Sequence, residues 1–184
     1  MTEDLDGWYR SEPITVRALG DRILYVMVNG YDDDPAKEDF HAAIAAFLSI
    51  DGSVLEAAAP AIFDYYQDVE SEFADGSMPI TISSSDQVWA HIHPVEVAVE
   101  RDSFRDQHVY VTVECNCDWE PEHGLQIVLR DGRAVTKVGP YDGHLTNAAA
   151  FNRDDLEGVV YHRLRPSGTR RPQSTDGDHP AVSS

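Results

Sequence analysis

The chain has 184 residues, 42% of them hydrophobic, enough for a single domain with a substantial core. No apolar run approaches the roughly 20 residues that a membrane-spanning helix needs, which excludes that class of membrane protein. With 33 acidic and 14 basic residues the formal net charge is -19, so the surface repels phosphate backbones, argues against nucleic-acid and membrane partners, and attracts a basic protein.

The acidic N-terminus lacks an apolar signal region, and only two cysteines are present. Both features lead to the expectation of a reducing, cytoplasmic location. Residues 1–12 are expected to form a leader, residues 13–165 a single domain, and residues 166–184 a disordered tail with little to bury.

Ile14, Val16 and Ala18 alternate with polar neighbours, Gly20 and Asp21 form a turn, and RILYVMV follows as a second, central strand. The NGYDDD loop holds three consecutive aspartates but lacks the spacing of a calcium loop. Asp34 before Pro35 is expected to cap a helix over 35–49 with Phe40, Ala43, Ile44, Phe47 and Leu48 on its apolar stripe. Ser53 and Glu56 have the spacing of a capping box. The next apolar stripe runs from Leu55 through Ala58, Ile62, Tyr65, Tyr66 and Val69 to Phe73, and Pro60 either kinks this helix or splits it.

Asp75 and Gly76 close the helical region. Asp86 caps a short turn through Val88, Trp89 and Ile92. Val95, Val97 and Val99 alternate as a third strand, and Val109, Val111, Val113, Cys115 and Cys117 share one face of a fourth. Asp131 and Gly132 are a strong signal for a two-residue hairpin turn. A register running outward from Arg130 opposite Arg133 puts Leu125, Ile127, Leu129, Ala134, Thr136 and Val138 on one face. Gln126, Val128, Arg130, Arg133, Val135 and Lys137 then occupy the other. Residues 148–165 are expected to add a short helix or an edge strand. The resulting fold class is α+β: a mainly antiparallel sheet of about five to seven strands, with two adjacent amphipathic helices packed on one face.

The same register brings the polar stretches on either side of the hairpin together at its open end, with His123 opposite Pro140 and Glu122 opposite Tyr141. Asp118, Trp119, Glu120, Glu122, His123, Tyr141, Asp142 and His144 are therefore the candidate functional surface. Within it, Glu120, Glu122, His123, Asp142 and His144 offer the carboxylates and imidazoles that a divalent metal or general acid–base chemistry requires. The bland alternative makes Trp119 a packing residue, His123 a partner of a carboxylate, and Asp142 with Gly143 another turn. Cys115, Cys117 and His123 are the remaining metal candidates, but alternation places both sulfurs on the valine face, where cysteine behaves as a small hydrophobe. His91 and His93 are read as solvated or capping side chains. The sequence contains no phosphate-binding loop, dinucleotide fingerprint, nucleophile elbow or zinc-protease motif, and no cofactor is expected.

CDWEPEHGL, from Cys117 to Leu125, and DGRAVTKVGPYDGHLTN, from Asp131 to Asn147, resemble a bacterial domain-of-unknown-function family in which a W-x-x-E-H-G-L strand enters a hairpin. GYDDD, FLSID and YYQD extend that resemblance over about residues 12–165. The resemblance implies no catalytic residues. By analogy with small acidic bacterial domains that act as immunity proteins, it implies a protein-interaction module for a basic partner. The alternative is a metal-dependent hydrolase or lyase built on the Glu120, Glu122, His123, Asp142 and His144 cluster.

Overall fold

The computed structural model describes residues 2–3, 8–73 and 77–163, with side chains from residue 8 onward. The Asp75 and Gly76 turn and the tail from residue 166 lie outside the described residues. Among the described residues nine strands form: β1 (Thr2–Glu3), β2 (Trp8–Arg10), β3 (Ile14–Val16), β4 (Arg22–Leu24), β5 (Val26–Asn29), β6 (Ile92–Arg101), β7 (Val109–Cys117), β8 (Leu125–Arg130) and β9 (Ala134–Gly139). The helices are α1 (Lys37–Ser49), α2 (Gly52–Glu56), α3 (Ala59–Glu70) and α4 (Asn147–Phe151). Seven strands make one sheet in the order β1-β2-β5-β6-β7-β8-β9, and β3 and β4 pair apart from it. Only β5 and β6 run parallel among the described pairs, because the helical stretch carries the chain from one to the other. The class is α+β, as the sequence indicates.

The core lies between one face of the sheet and the helices. Phe40 and Phe47 of α1 and Ile62, Tyr65 and Tyr66 of α3 pack on Val97, Val99, Val111, Val113, Ile127 and Leu129. Pro60 splits the second helical stretch, standing in the first turn of α3 where its missing N–H costs nothing. The cap of α2 is Asp51, whose side chain accepts from Ser53 N–H, rather than Ser53 itself. α1 begins at Lys37, and Ala36 is its uncapped boundary. Asp34 does other work: it accepts the Ala36 N–H at 2.8 Å and pairs with Arg101 at 2.6 Å, tying the helix entry to the end of β6. The Arg101 guanidinium holds the Asp34 carboxyl below its ordinary range. Phe73, expected on the buried stripe, lies beyond the end of α3 and is exposed. No single described helix is long and apolar enough to cross a membrane.

Several local expectations are corrected. RILYVMV is divided at Tyr25: its first half pairs with β3 in the small sheet, and its second half enters the main sheet between β2 and β6. Trp8–Arg10, within the expected leader, is a strand paired with β5. Val95 does not share the buried face of Val97 and Val99. The ladder shifts between Pro94 and Glu96, and Val95 is left 53% exposed.

The hairpin turn stands where expected, with Asp131 and Gly132 both at positive φ and Arg133 N–H donating to Arg130 O. The register differs. Pairing begins at Arg130 opposite Ala134, shifts again between Val128 and Leu129, and brings Val138 opposite Ile127. Thr136 becomes the extra residue, its hydroxyl donating to Val128 O. Val135 therefore packs toward the core and Ala134 is exposed, reversing their expected faces. The turn is seated against α1: a Cβ on Gly132 would lie 2.1 Å from the Ala43 carbonyl oxygen.

Candidate functional site

The open end of the hairpin is closed by a hydrogen bond from Tyr141 N–H to His123 O, at 3.2 Å. The two polar stretches thus meet, although the register between them is not the one the turn alone implies. The loop from 118 to 124 is fixed locally. Glu120 Oε1 accepts the N–H groups of Glu122 and His123, at 3.0 and 3.2 Å, and Gly124 N–H returns to Glu120 O. Gly124 has φ near +61°, and a Cβ there would stand 2.4 Å from the Cys115 carbonyl oxygen, so glycine alone lets this loop rest on β7. Tyr65 O–H donates to Gly124 O from α3.

Seven of the eight candidate residues divide into four environments, and Tyr141 stands apart from them beside Glu114. Trp119 is core, 1% exposed and edge-on to the rings of Tyr65 and Tyr66. Asp118 accepts from His91 Nδ1 at 2.9 Å and His93 Nε2 at 3.0 Å, and these imidazoles hold its carboxyl low. Glu120, Glu122 and His123 form a third group, whose ligating atoms lie within 4.8 Å of one another. Asp142 lies in the fourth, with His144 beside it at 3.5 Å.

This last group contains a residue that composition alone did not mark. Lys137, one of two lysines in the chain, has a side chain only 2% exposed. Its ammonium pairs with Asp142 and donates to His144 O at 3.1 Å. Asp142 also accepts from Gln126 Nε2 at 2.8 Å and from His144 N–H at 2.9 Å. Burial pushes the Lys137 amine down despite the pair. Burial also works against ionisation of Asp142, but its hydrogen bonds and the Lys137 charge prevail and hold the carboxyl below its ordinary range. The network fastens the turn after β9 over the second face of the sheet.

The two thiols are free and buried. Cys115 Sγ faces Val113 O, and Cys117 Sγ lies 3.6 Å from Glu120 O. Burial pushes the Cys117 thiol up to about 12 and Cys115 further, so neither is a ready thiolate. Among the described residues, neither sulfur belongs to a group of converging metal ligands.

Beside Tyr141 the second face continues with residues outside the candidate set. Glu96 stands directly opposite Glu114, and Glu100 lies on the same face of β6. The Tyr141 hydroxyl reaches the Glu114 carboxyl. Among the described residues, no ion pair neutralises any of the three glutamates. Burial, with the neighbouring carboxylates behind it, pushes Glu100 and Glu114 above the ordinary value. Val95 and Tyr141, 53% and 48% exposed, border a recess of about 200 Å³ with Glu114, Glu122 and His123. The alternation Val-Glu-Val-Ala-Val-Glu over 95–100 carried the signal, since every second residue must leave the core.

No curated protein and no solved structure matches the chain significantly. A family model described as "Domain of unknown function (DUF6985)" matches residues 1–145, which span the whole sheet, both long helices and the Lys137 and Asp142 network, and the chain belongs to that family.

Proposed function

We propose that the protein is an acidic interaction module that takes a basic segment of a protein partner on the open half of its second sheet face. The observation that carries this reading is the trio of Glu96, Glu100 and Glu114: three carboxylates on one rigid face, with no described cation between them and two of them resisting ionisation. Like charges placed directly across a strand pair destabilise the fold, and an arginine or lysine from a partner relieves that repulsion. Val95 and Tyr141 supply apolar contact for the methylene stem of such a side chain. An immunity-like role, in which the module masks a basic protein, is one use of this surface, and its net charge favours fast, salt-sensitive association.

The test is calorimetric titration of an oligo-arginine peptide at low and high salt. The variant Glu96→Gln/Glu100→Gln/Glu114→Gln is expected to lose most of the binding. A control, Glu12→Gln/Glu38→Gln/Glu157→Gln, makes the same change of charge at exposed positions elsewhere and is expected to retain it. Equal losses in both variants reduce the binding to bulk charge and end the proposal.

A second reading has one observation in its favour. Glu120, Glu122 and His123 converge closely enough to hold a divalent metal, as the metal-dependent hydrolase or lyase alternative requires. Asp142 is engaged with Lys137 and Gln126, so this reading reduces to three residues. Titration with zinc and manganese, followed through the His123 ring signals, tests it. Unshifted His123 signals at saturating metal remove it.

A further inference from the structure

A second recess near the hairpin's open end lies between α3, the end of β9 and the segment that follows α4. It encloses about 260 Å³. Among the rings that line it are Tyr65 and Tyr161, with centroids 5.9 Å apart, and Phe151 and His162, 4.9 Å apart and at an interplanar angle of 77°. The wall made by Phe151, Tyr161 and His162 is held in place by backbone contacts. Val138 N–H donates to Val160 O at 2.8 Å, and the Asn147 amide donates to the carbonyls of Val159 and Val160. Burial pushes the phenols of Tyr65 and Tyr161 well above their ordinary range, so both rings stay neutral and electron-rich.

The charge around these rings is negative. Asp68, Glu72, Glu120 and Asp142 line the cleft; Asp68 is paired with Arg163 and accepts the Tyr161 hydroxyl, and Asp142 is paired with Lys137, so the excess charge is that of Glu72 and Glu120. Neutral aromatic faces inside an acidic rim attract a weakly hydrated cation, which gains ring contacts without surrendering a tight water shell. We infer that this cleft binds an alkylated ammonium, a cation with an apolar skin. The inference is separate from the proposed protein-binding face: His123 borders both recesses, but the cleft contains none of Glu96, Glu100 and Glu114. Phe151, Tyr161 and His162 fall outside the residues matched by the family model.

The experiment is a calorimetric titration of the full chain with tetramethylammonium, choline and phenyltrimethylammonium in turn. The neutral tert-butyl isostere of choline serves as the uncharged control. At least one cation is expected to saturate, with the isostere about tenfold weaker or worse. Phe151→Ala, at a position 39% exposed and therefore tolerant of truncation, is expected to weaken the cation about tenfold. Glu72→Gln, at an exposed position, is expected to weaken it about threefold. Oligo-arginine binding is expected to be unchanged in Phe151→Ala. Failure of all three cations to saturate, equal affinity for the isostere, or indifference to Phe151→Ala each overturns the inference.

Discussion

Strands β6, β7 and β8 present Val97, Val111 and Ile127 to the helices on one side, and Glu100, Thr112 and Gln126 to the other. The first face is closed by apolar packing, a non-directional force that tolerates small errors of fit. The second is divided. Over β8 and β9 it is closed by one directional network, Lys137 with Asp142, Gln126 and the His144 backbone. Over β6 and β7 it is left with three unneutralised glutamates. The same strands thus bear stability on one side and, on the other, a charge arrangement that works against stability. The proposed interaction with a basic segment gives that charge arrangement a role.

The comparison is broken most severely where the two halves of the fold touch. Gly132→Ala forces a Cβ into the backbone of α1 at a left-handed position, so a loss of about 3 to 5 kcal/mol is expected. Chemical denaturation measures it, and a loss below about 1 kcal/mol shows that the turn is not seated on α1. Asp142→Ala strands the buried Lys137 ammonium. It is expected to cost about 2 to 3 kcal/mol, toward the low end because the Asp142 side chain is itself 34% exposed. The double variant Lys137→Met/Asp142→Ala is expected to recover part of that loss. If the double is worse than the single, the ammonium was not the source of the cost.

Smaller effects of opposite sign sharpen the contrast. The Glu96→Gln/Glu100→Gln/Glu114→Gln variant is expected to be more stable than the natural chain by about 1 kcal/mol, since it removes like-charge opposition. Thermal unfolding at neutral pH checks this, and destabilisation contradicts it.

The pH dependence follows from the same groups. Glu100 and Glu114 have folded-state pKa values above the ordinary 4.5. The folded chain therefore binds their protons more tightly than the unfolded chain, and stability rises as pH falls from neutral toward 4.5. Asp34, Asp106, Asp118 and Asp142 are held below the ordinary 3.8, so their contribution is present above that value and lost as pH falls through it. Maximum stability is expected in the mildly acidic interval between the two groups. The triple glutamine variant is expected to lack the rise on its neutral side.

What was legible in the sequence was what local chemistry decides. The Val109–Cys117 alternation, the break at Pro60 and the turn at Asp131 and Gly132 each follow from one residue's steric limits or from strict period two. Convergence of the hairpin's open end was legible too, since any register near that turn brings His123 toward Tyr141. What was hidden depends on partners distant in the chain or on single inserted residues. The parallel pairing of β5 with β6 is decided by how the helices carry the chain across. The bulges at Val95 and Thr136 move one residue each and leave no mark in composition. Lys137 was placed only on the hairpin's second face, because nothing in its own neighbourhood announces that the turn after β9 folds back over it. The glutamates of β6 and β7 were written into an alternation that was read only for its valines.

The ionisation of Glu114 tests the account most directly. Its carboxyl can be titrated by carbon-detected NMR in the free protein and again with saturating oligo-arginine peptide. A cation seated among Glu96, Glu100 and Glu114 must favour the charged form, so the raised free-state value is expected to fall toward or below 4.5 in the complex. A Glu114 titration that is unchanged by bound peptide places the peptide elsewhere and contradicts the account.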